Sequence, residues 1–371
     1  ALLRELTCAP AFATPRLQAS MATRRVPGRG GCVQQLCPAS PSRSPRRDAT
    51  REPRARARAQ QTESPFEKSP AIEKAIRDTA GRCLTRTDLR GHKQQGKVRD
   101  VYELDDHFVI VTTDRQSAFD RHLASIPFKG QAVNQTSAWW MAETHGMVEN
   151  ALVSSPHPNI SIMKRCQVFP VEFVVRGYLT GSTKTSIWTK YSQGAREYCG
   201  NVLADGMSKN ERLPANIITP TTKADTGDVP ISPCEIVQQG LMTSAQWEET
   251  SAKALALFAF GQQQAASRGL LLVDTKYEFG TDQEGNVLLI DEVHTPDSSR
   301  YWLAGSYKER ARASQEPDSI DKEFLRLWFR EHCDPYTDER LPEAPDELVF
   351  ELSRRYITLY EMITGQDFLP V

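Results

Sequence analysis

The chain has 371 residues, of which 39% are hydrophobic and 25% are charged, with 46 Lys plus Arg and 47 Asp plus Glu. This composition is typical of an ordinary globular protein, so it excludes a collagen-like or wholly disordered chain, and the length predicts about two domains. No stretch reaches about 18 consecutive apolar residues, so the sequence predicts no transmembrane helix and no membrane partner. The net charge of -1 conceals a basic leader and an acidic body.

The leader, residues 1–62, holds 12 Arg, no Lys and 3 acidic residues, a net charge of +9, whereas the remaining 34 basic and 44 acidic residues carry -10. It has no apolar pattern that could form a core, so it is predicted to be disordered. Its Arg-rich, acidic-poor composition, without the apolar run of a secretory signal, favours an organelle transit peptide. A basic arm that binds nucleic acid and a featureless tail are the alternatives.

The first half of the body alternates strand and helix patterns. β-branched and aromatic residues on either side of the turn Asp105–Asp106 predict two strands, and a second Val- and Phe-rich stretch predicts a later one. Between them lies an apolar-rich segment that predicts a helix. The predicted elements are strands at Val101–Leu104 and Phe108–Thr112, a helix at Gly130–Met147 and a strand at Val168–Tyr178.

In the second half, Asn201–Pro233 is long, polar and rich in Gly and Pro, which predicts an ordered functional loop. Ser244 is the predicted N-cap of a helix that runs to Ser267 and is ended by Gly269. The remaining predicted elements are a hairpin of Leu270–Phe279 with Val287–Glu292, and helices at Lys322–Glu331 and Pro345–Thr364. The mixture predicts an α+β fold in two lobes, residues 72–165 and 166–371.

The hairpin carries the strongest chemical signal. The two-residue period of a strand puts Asp274, Lys276 and Glu278 on one face. A two-residue turn, centred either on Glu284–Gly285 or on Gly285–Asn286, would then bring Asp291 opposite or diagonal to Glu278. Clustered carboxylates repel each other, and oxygen ligands without His or Cys favour Mg²⁺. The alternative is a solvated charged face that Lys276 screens.

Several basic segments could bind anions. Arg176 follows the apolar run VEFVV and would be costly to bury without an anion. Arg300 ends the polar segment DEVHTPDSSR and could hold a phosphate or carboxylate, although this segment could also be a turn that caps a helix. Further candidates are Gly96, Lys97 and Arg99 in QGKVRDVYEL, Asp114, Arg115 and Ser117 in TTDRQSAFD, Gly177, Gly181 and Ser182 after Arg176, Lys223, and Ser298 and Ser299.

The residues therefore indicate an acidic metal site, separate anion contacts and no evident nucleophile. Neither GxxxxGK[ST] nor GxGxxG occurs, and no GxSxG signature supports a serine hydrolase. Such a set predicts nucleotide-dependent phosphoryl transfer to a small anionic substrate. For the Gly96–Arg99 segment alone, a surface strand start is the alternative.

Seven motifs, in this order, resemble the SAICAR synthetase family: GKVRDVYEL, TDRQSAFD, PVEFVVRGYLTGS, TPTTKAD, DTKYEFG, DEVHTPDSSRYW and DKEFLR. The resemblance covers about residues 85–371. It implies that residues 72–165 form an N-terminal nucleotide-binding lobe, reminiscent of protein kinases and ATP-grasp enzymes, and that residues 166–371 form a C-terminal substrate- and metal-binding lobe. The implied reaction joins L-aspartate to carboxyaminoimidazole ribonucleotide (CAIR) with ATP and Mg²⁺, through an acyl phosphate, to give SAICAR, ADP and phosphate. GSTKTSIWTKY and the leader resemble the plant or algal forms, which implies import into the plastid stroma.

The resemblance also implies roles for individual residues. Glu278 and Asp291 would hold Mg²⁺, while Asp274 and Lys276 orient the reacting groups. Gly96, Lys97 and Arg99 would cover the ATP phosphates, and Lys223 would contact the nucleotide. The implied substrate-binding residues are Arg176, Gly181, Ser182 and Arg300, with Asp297 and Ser298 nearby, and Asp114, Arg115, Ser117, Lys322 and Arg326. Gln116, where the family more often has Ile, is a modest departure within its motif.

Two other classes compete with this interpretation. A small-molecule kinase acting on a phosphorylated carboxylate would form ADP without any need for aspartate. A nucleic-acid-binding protein would depend on the basic leader and bind in a strongly salt-dependent manner. The preferred interpretation has ATP, CAIR and L-aspartate as partners, with no nucleic acid and no membrane. It leaves the oligomeric state open, and a homo-oligomer is one of the alternatives.

Overall fold

The computed structural model describes residues 66–223 and 229–371. The predicted leader, residues 1–62, lies outside the described residues, and so does the end of the TPTTKAD motif. In the described ranges, no helix combines the length and apolarity needed to cross a membrane.

Eight α-helices occur in the described ranges: Pro70–Thr79 (α1), Lys129–Thr144 (α2), Ile187–Ser192 (α3), Pro233–Gln238 (α4), Ser244–Ser267 (α5), Ala304–Arg312 (α6), Glu323–His332 (α7) and Asp346–Thr364 (α8). The four predicted helices correspond to α2, α5, α7 and α8. The predicted cap of α5 is wrong, because Thr243 is the N-cap: its hydroxyl accepts from the backbone N of Gln246 at 3.2 Å. The side chain of Gln246 in turn accepts from the backbone N of Thr243 at 2.9 Å, which completes a capping box.

The strands, in chain order, are His92–Gln95 (β1), Arg99–Glu103 (β2), His107–Thr112 (β3), Arg115–Ala118 (β4), Arg121–Ser125 (β5), Leu152–His157 (β6), Ile160–Lys164 (β7), Gln167–Val168 (β8), Val171–Leu179 (β9), Glu197–Tyr198 (β10), Asn201–Val202 (β11), Glu211–Ile218 (β12), Thr221–Thr222 (β13), Val229–Pro230 (β14), Leu270–Thr281 (β15), Val287–Ile290 (β16) and Ser299–Leu303 (β17). Together with the helices they form the predicted α+β fold. The division into lobes near residue 165 stays a prediction.

Two large antiparallel sheets organise these strands. The first has the order β1-β2-β3-β7-β6, and the second has eight strands with β9, β15 and β16 along its main path. The largest apolar core includes Phe258 of α5 and Leu272 and Tyr277 of β15, so α5 covers one face of the second sheet. A second core gathers α1, α7, α8 and the β4–β5 pair.

Strand β15 is the central element of the second sheet. It has 12 residues and pairs with β9 on one side, where Asp274 lies opposite Arg176. On its other side it pairs with β17, where Asp274 lies opposite Arg300. Since directly paired residues on antiparallel strands share a face, the sheet brings two predicted anion-binding arginines to the same carboxylate.

Two sequence expectations are wrong in this sheet. The predicted loop Asn201–Pro233 contains an eight-residue strand, β12, because pairing with β9 satisfies its backbone despite its polar side chains. The hairpin turn has five residues, 282–286, because Thr281 pairs with Val287. Its conformation is held by the Asp282 carboxylate, which accepts from the backbone N of Glu284 at 3.1 Å and of Asn286 at 2.8 Å.

The start of α2 allows a test of close packing. A Cβ added at Gly130 would lie 2.3 Å from the backbone O of Thr112 and 2.6 Å from Asn159 Nδ2. We therefore expect Gly130→Ala to lower the free energy of unfolding by about 1–3 kcal/mol in a denaturant titration. Gly146→Ala is the control, because nothing lies within 4 Å of its Cβ position. Equal stability of the two variants would contradict the packing argument.

Candidate active site

A carboxylate and lysine cluster lies along β15. Lys276 Nζ donates to Glu172 Oε1 at 3.0 Å and also to Glu278, and it lies 4.0 Å from Asp291 Oδ2. The second oxygen of Glu278 accepts from Lys223. Burial alone would raise the pKa of Glu278, but the charges of Lys276 and Lys223 outweigh it and lower this pKa to about 2. The predicted approach of Glu278 and Asp291 to Lys276 is therefore present.

The route by which Asp291 reaches this cluster differs from the prediction. In the observed register Glu278 lies opposite Ile290, so Asp291 follows the last residue of β16. Its backbone has φ of 65°, the left-handed conformation that turns the chain at this point. Arg99, from the first sheet, pairs with Asp291 and with the next residue, Glu292.

Glu172 and Glu292 are members of the cluster that sequence reasoning missed. A signal for Glu172 was available, because the period of two on β9 puts it on the same face as Arg176. Glu292 directly follows Asp291 in the sequence. Asp274 was predicted in the same cluster, but its ion pairs are with Arg176 and Arg300 instead.

The cluster can be tested for its fit to a metal ion. Among residues 66–223 and 229–371, no three His, Cys, Asp or Glu side chains are placed to hold a metal by themselves. Mg²⁺ commonly takes only one or two carboxylates and fills its other positions with water and phosphate. Glu278 and Asp291, on two sides of Lys276, supply hard oxygen ligands of that number. The residues therefore fit Mg²⁺ that arrives with a nucleotide phosphate.

A largely buried array of arginines adjoins the cluster. Asp274 Oδ2 accepts from Arg176 Nη1 at 3.2 Å and from Arg300 Nη1 at 2.6 Å. Glu323 Oε2 accepts from Arg300 Nη2 at 3.3 Å and from Arg326 Nη1 at 3.2 Å. Burial would raise the pKa of Glu323, but the charges of Arg300 and Arg326 outweigh this effect and lower the pKa to about 2. Three guanidinium groups thus alternate with two carboxylates.

The glycine at 181 lets the chain pass close to this array. It has φ of 113°, and a Cβ there would lie 2.4 Å from Ser186 Cβ and 3.6 Å from Arg300 Nη2. The next residue, Ser182, is buried, and its carbonyl accepts from Arg330 Nη1 at 2.6 Å. The chain at residues 181–182 is therefore held beside the arginine array.

The predicted phosphate-covering segment is the turn between β1 and β2. The backbone N of Gly96 donates to the Arg99 carbonyl at 2.8 Å, and Lys97 Nζ lies 2.5 Å from Asp120 Oδ1 on the surface. Arg115 donates to the Gly96 carbonyl at 3.1 Å and to Asp100 at 2.8 Å, so it links this turn to β2. Gly96, Lys97, Arg115 and Ser117 line an open cleft of about 500 Å³.

The other predicted substrate residues lie apart from this cleft or are engaged within the protein. The Asp114 carboxylate accepts from the backbone N of Gly130 at 2.9 Å and of Leu84 at 2.7 Å. The Ser298 carbonyl accepts from the backbone N of Lys276 at 3.0 Å. Burial lowers the pKa of Lys322 to about 8. The substrate roles of these residues stay predictions.

Carboxylates suited to a nucleotide-bound metal, next to an array suited to an anionic substrate, define an enzyme that uses a nucleotide to activate a small anion. The chain belongs to the SAICAR synthetase family, whose model matches residues 92–342.

Two relatives and one solved structure support this assignment. The chain is 60% identical over 303 residues to the chloroplastic phosphoribosylaminoimidazole-succinocarboxamide synthase of Arabidopsis thaliana. This match covers 80% of this chain and 74% of the Arabidopsis protein. It is 59% identical over 288 residues to the synthase of Legionella pneumophila (strain Lens), a match that covers 77% of this chain and 92% of the Legionella protein. The structure of the SAICAR synthase of Saccharomyces cerevisiae in complex with SAICAR matches this chain with a TM-score of 0.67 at 31% sequence identity. The match covers 77% of this chain and 99% of the yeast chain.

The lowered pKa of Glu278 predicts a loss of stability in acid. A carboxyl whose pKa is lowered on folding stabilises the protein above its ordinary pKa of 4.5, and this stabilisation is lost as the pH falls towards 2. We expect Glu278→Gln to remove up to about 3 kcal/mol of this pH dependence, as measured by denaturant unfolding across that range. Glu284→Gln, which removes an exposed carboxylate of the same hairpin, is the control. Parallel pH profiles for wild type and Glu278→Gln would contradict the assigned charge contacts.

Proposed function

We propose that the chain joins L-aspartate to the carboxylate of CAIR at the expense of ATP, giving SAICAR, ADP and phosphate. This reaction is the ligase step of purine biosynthesis, and the family takes its name from the product, SAICAR. One observation carries the proposal: Asp274, with its arginines, and Glu278, with its lysines, lie on the same face of β15. Four residues along a strand span roughly 13 Å, so a phosphate-binding end and an anion-binding end are within reach of one pair of substrates.

The chemistry divides into two steps. A CAIR carboxylate oxygen attacks the γ-phosphorus of ATP, ADP leaves, and an acyl phosphate forms. The amine of L-aspartate then attacks the acyl carbon, loses a proton, and phosphate leaves as the amide bond forms. Holding the reacting groups in place and neutralising charge supply most of the catalysis in such transfers.

The residues of the chain take complementary parts in these steps. Lys97, Arg99 and Lys223 would neutralise the nucleotide phosphates, while Arg176 and Arg300 would hold the phosphate and carboxylate of CAIR. Lys276 lies between the two groups and would orient the transferred phosphoryl group. Glu278 and Asp291 would hold Mg²⁺, which supplies further positive charge for the phosphoryl oxygens when bound.

A coupled assay of ADP release tests the reaction. The wild-type chain should release ADP and form SAICAR only when ATP, CAIR and L-aspartate are all present. Release of ADP without aspartate, and with no SAICAR, would instead support the small-molecule kinase, which family membership does not favour.

We also propose that the protein works in the plastid stroma. The Arg-rich leader and the chloroplastic name of the Arabidopsis relative both support import. A fusion of residues 1–62 to a fluorescent protein should accumulate in plastids of plant or algal cells. Fluorescence that stays in the cytosol would contradict this localisation.

Asp291→Asn should abolish turnover and leave the fold intact. The change removes the negative charge that would bind Mg²⁺, while the amide keeps the size of the side chain. Turnover is measured by SAICAR formation, and folding by thermal unfolding. Asp105→Asn, at an exposed position in the β2–β3 turn, is the control; near-normal turnover of the purified Asp291→Asn variant would exclude the metal assignment.

Arg300→Ala should mainly weaken CAIR binding. A lost hydrogen bond between charged groups typically costs about 1.5–3 kcal/mol, so the KM for CAIR should rise at least about 10-fold, with a smaller change in the KM for ATP. Arg212→Ala, an exposed arginine on β12 of the same sheet, should have no comparable effect. An unchanged affinity for CAIR in the Arg300 variant would remove this residue from the binding site.

A further inference from the structure

Asp297 is held by three side chains that come from distant parts of the chain. Its Oδ1 accepts from Tyr356 Oη at 2.7 Å and from Gln116 Nε2 at 3.2 Å. Its Oδ2 lies 2.5 Å from Lys129 Nζ. Gln116 belongs to β4, Lys129 begins α2 and Tyr356 lies within α8, so one carboxylate joins three elements. We call these four residues the Asp297 network.

The network is closed to solvent. The exposed fraction of the side chain is 0% for Lys129 and 4% for Asp297, and Gln116 and Tyr356 are fully buried. Burial would raise the pKa of Asp297, but the charges of Lys129 and Lys322 outweigh it and hold this pKa well below its usual range. Removing one partner of such a buried pair leaves an uncompensated charge. Both oxygens of Asp297 are therefore engaged within the protein.

The network is joined through the main chain to the catalytic strand. Asp297 belongs to a turn in which the Thr295 hydroxyl accepts from the backbone N of Asp297 at 3.2 Å and of Ser298 at 3.1 Å. The Ser298 carbonyl accepts from the backbone N of Lys276 at 3.0 Å, and Arg300 follows two residues later. A shift of Asp297 would therefore displace the backbone that carries Lys276 and Arg300.

We infer that Asp297 is a positioning residue and does not itself bind substrate: Gln116, Lys129 and Tyr356 hold it, and through it they set the positions of Lys276 and Arg300. This inference rests on the proposed function. It gives α8 a part in the reaction through Tyr356, although this helix carries none of the site residues predicted from the sequence.

Two mild variants test the inference, Tyr356→Phe and Gln116→Leu. Each removes hydrogen bonding to Asp297 Oδ1 and keeps the charge pair. We expect kcat for SAICAR formation to fall about 3- to 10-fold, the effect of one lost hydrogen bond. The KM for CAIR should rise together with this fall, because Arg300 is displaced, whereas the KM values for ATP and aspartate should change less than about 2-fold. Tyr360→Phe is the matched control on the same helix, since its hydroxyl bonds Gln366 at 3.1 Å and not Asp297.

The outcomes of this comparison are distinct. A lower melting temperature with unchanged kcat would show a purely structural role and overturn the inference. A raised KM for ATP or L-aspartate with unchanged kcat would show that Asp297 binds that substrate, which would also overturn it. If the wild-type chain forms no SAICAR, the proposed function and this inference fail together. An active wild type with unaltered Tyr356→Phe kinetics overturns the inference alone.

A second test uses the charge pair itself. Asp297→Asn and Lys129→Met should each lower kcat at least about 10-fold, because each leaves one buried charge without its partner. The double variant removes both charges, so it should recover part of the lost kcat and melting temperature. A double variant no better than Asp297→Asn, in both measurements, would exclude action through the pair. If a single variant does not fold, Tyr356→Phe still decides.

Discussion

The need to compensate charges buried in one central strand determines the arrangement of this molecule. The face of β15 that carries Thr275, Tyr277 and Phe279 is buried, and the apolar core on that face includes residues of α5. The opposite face must then carry Asp274, Lys276 and Glu278 in surroundings where an unpaired charge is costly. Each of these charges is met by one from a different element.

The elements that meet β15 are those that bring the functional groups together. Strand β9 contributes Glu172 and Arg176, β17 contributes Arg300, and β2 reaches across with Arg99 to the carboxylates that follow β16. At the proposed CAIR site an anion would meet guanidinium groups that already lie side by side, with Asp274 and Glu323 between them. The proposed binding surface is thus pre-organised by internal ion pairs, which would reduce the cost of ordering it around substrate.

Much of this could be predicted from local sequence. The two-residue period gave the shared face of Asp274, Lys276 and Glu278, and the motifs pointed to Arg176 and Arg300. The register of the hairpin could not be predicted, because it depends on how the Asp282 side chain bonds its own loop. The strand β12 was missed because its polar residues are stabilised by the neighbour β9. The partners of Asp297 were also hidden, since Gln116, Lys129 and Tyr356 are brought together only by tertiary packing.

The left-handed backbone at Asp291 limits which residues this position can hold. Most L-amino acids pay roughly 1–2 kcal/mol in that conformation, and Asp and Asn are among the few that adopt it readily. A glutamate would carry the same charge but would strain the main chain and extend further toward Lys276. The turn after β16 therefore selects the shorter acid, and the geometry of the main chain sets how far a carboxylate can reach at this point of the site.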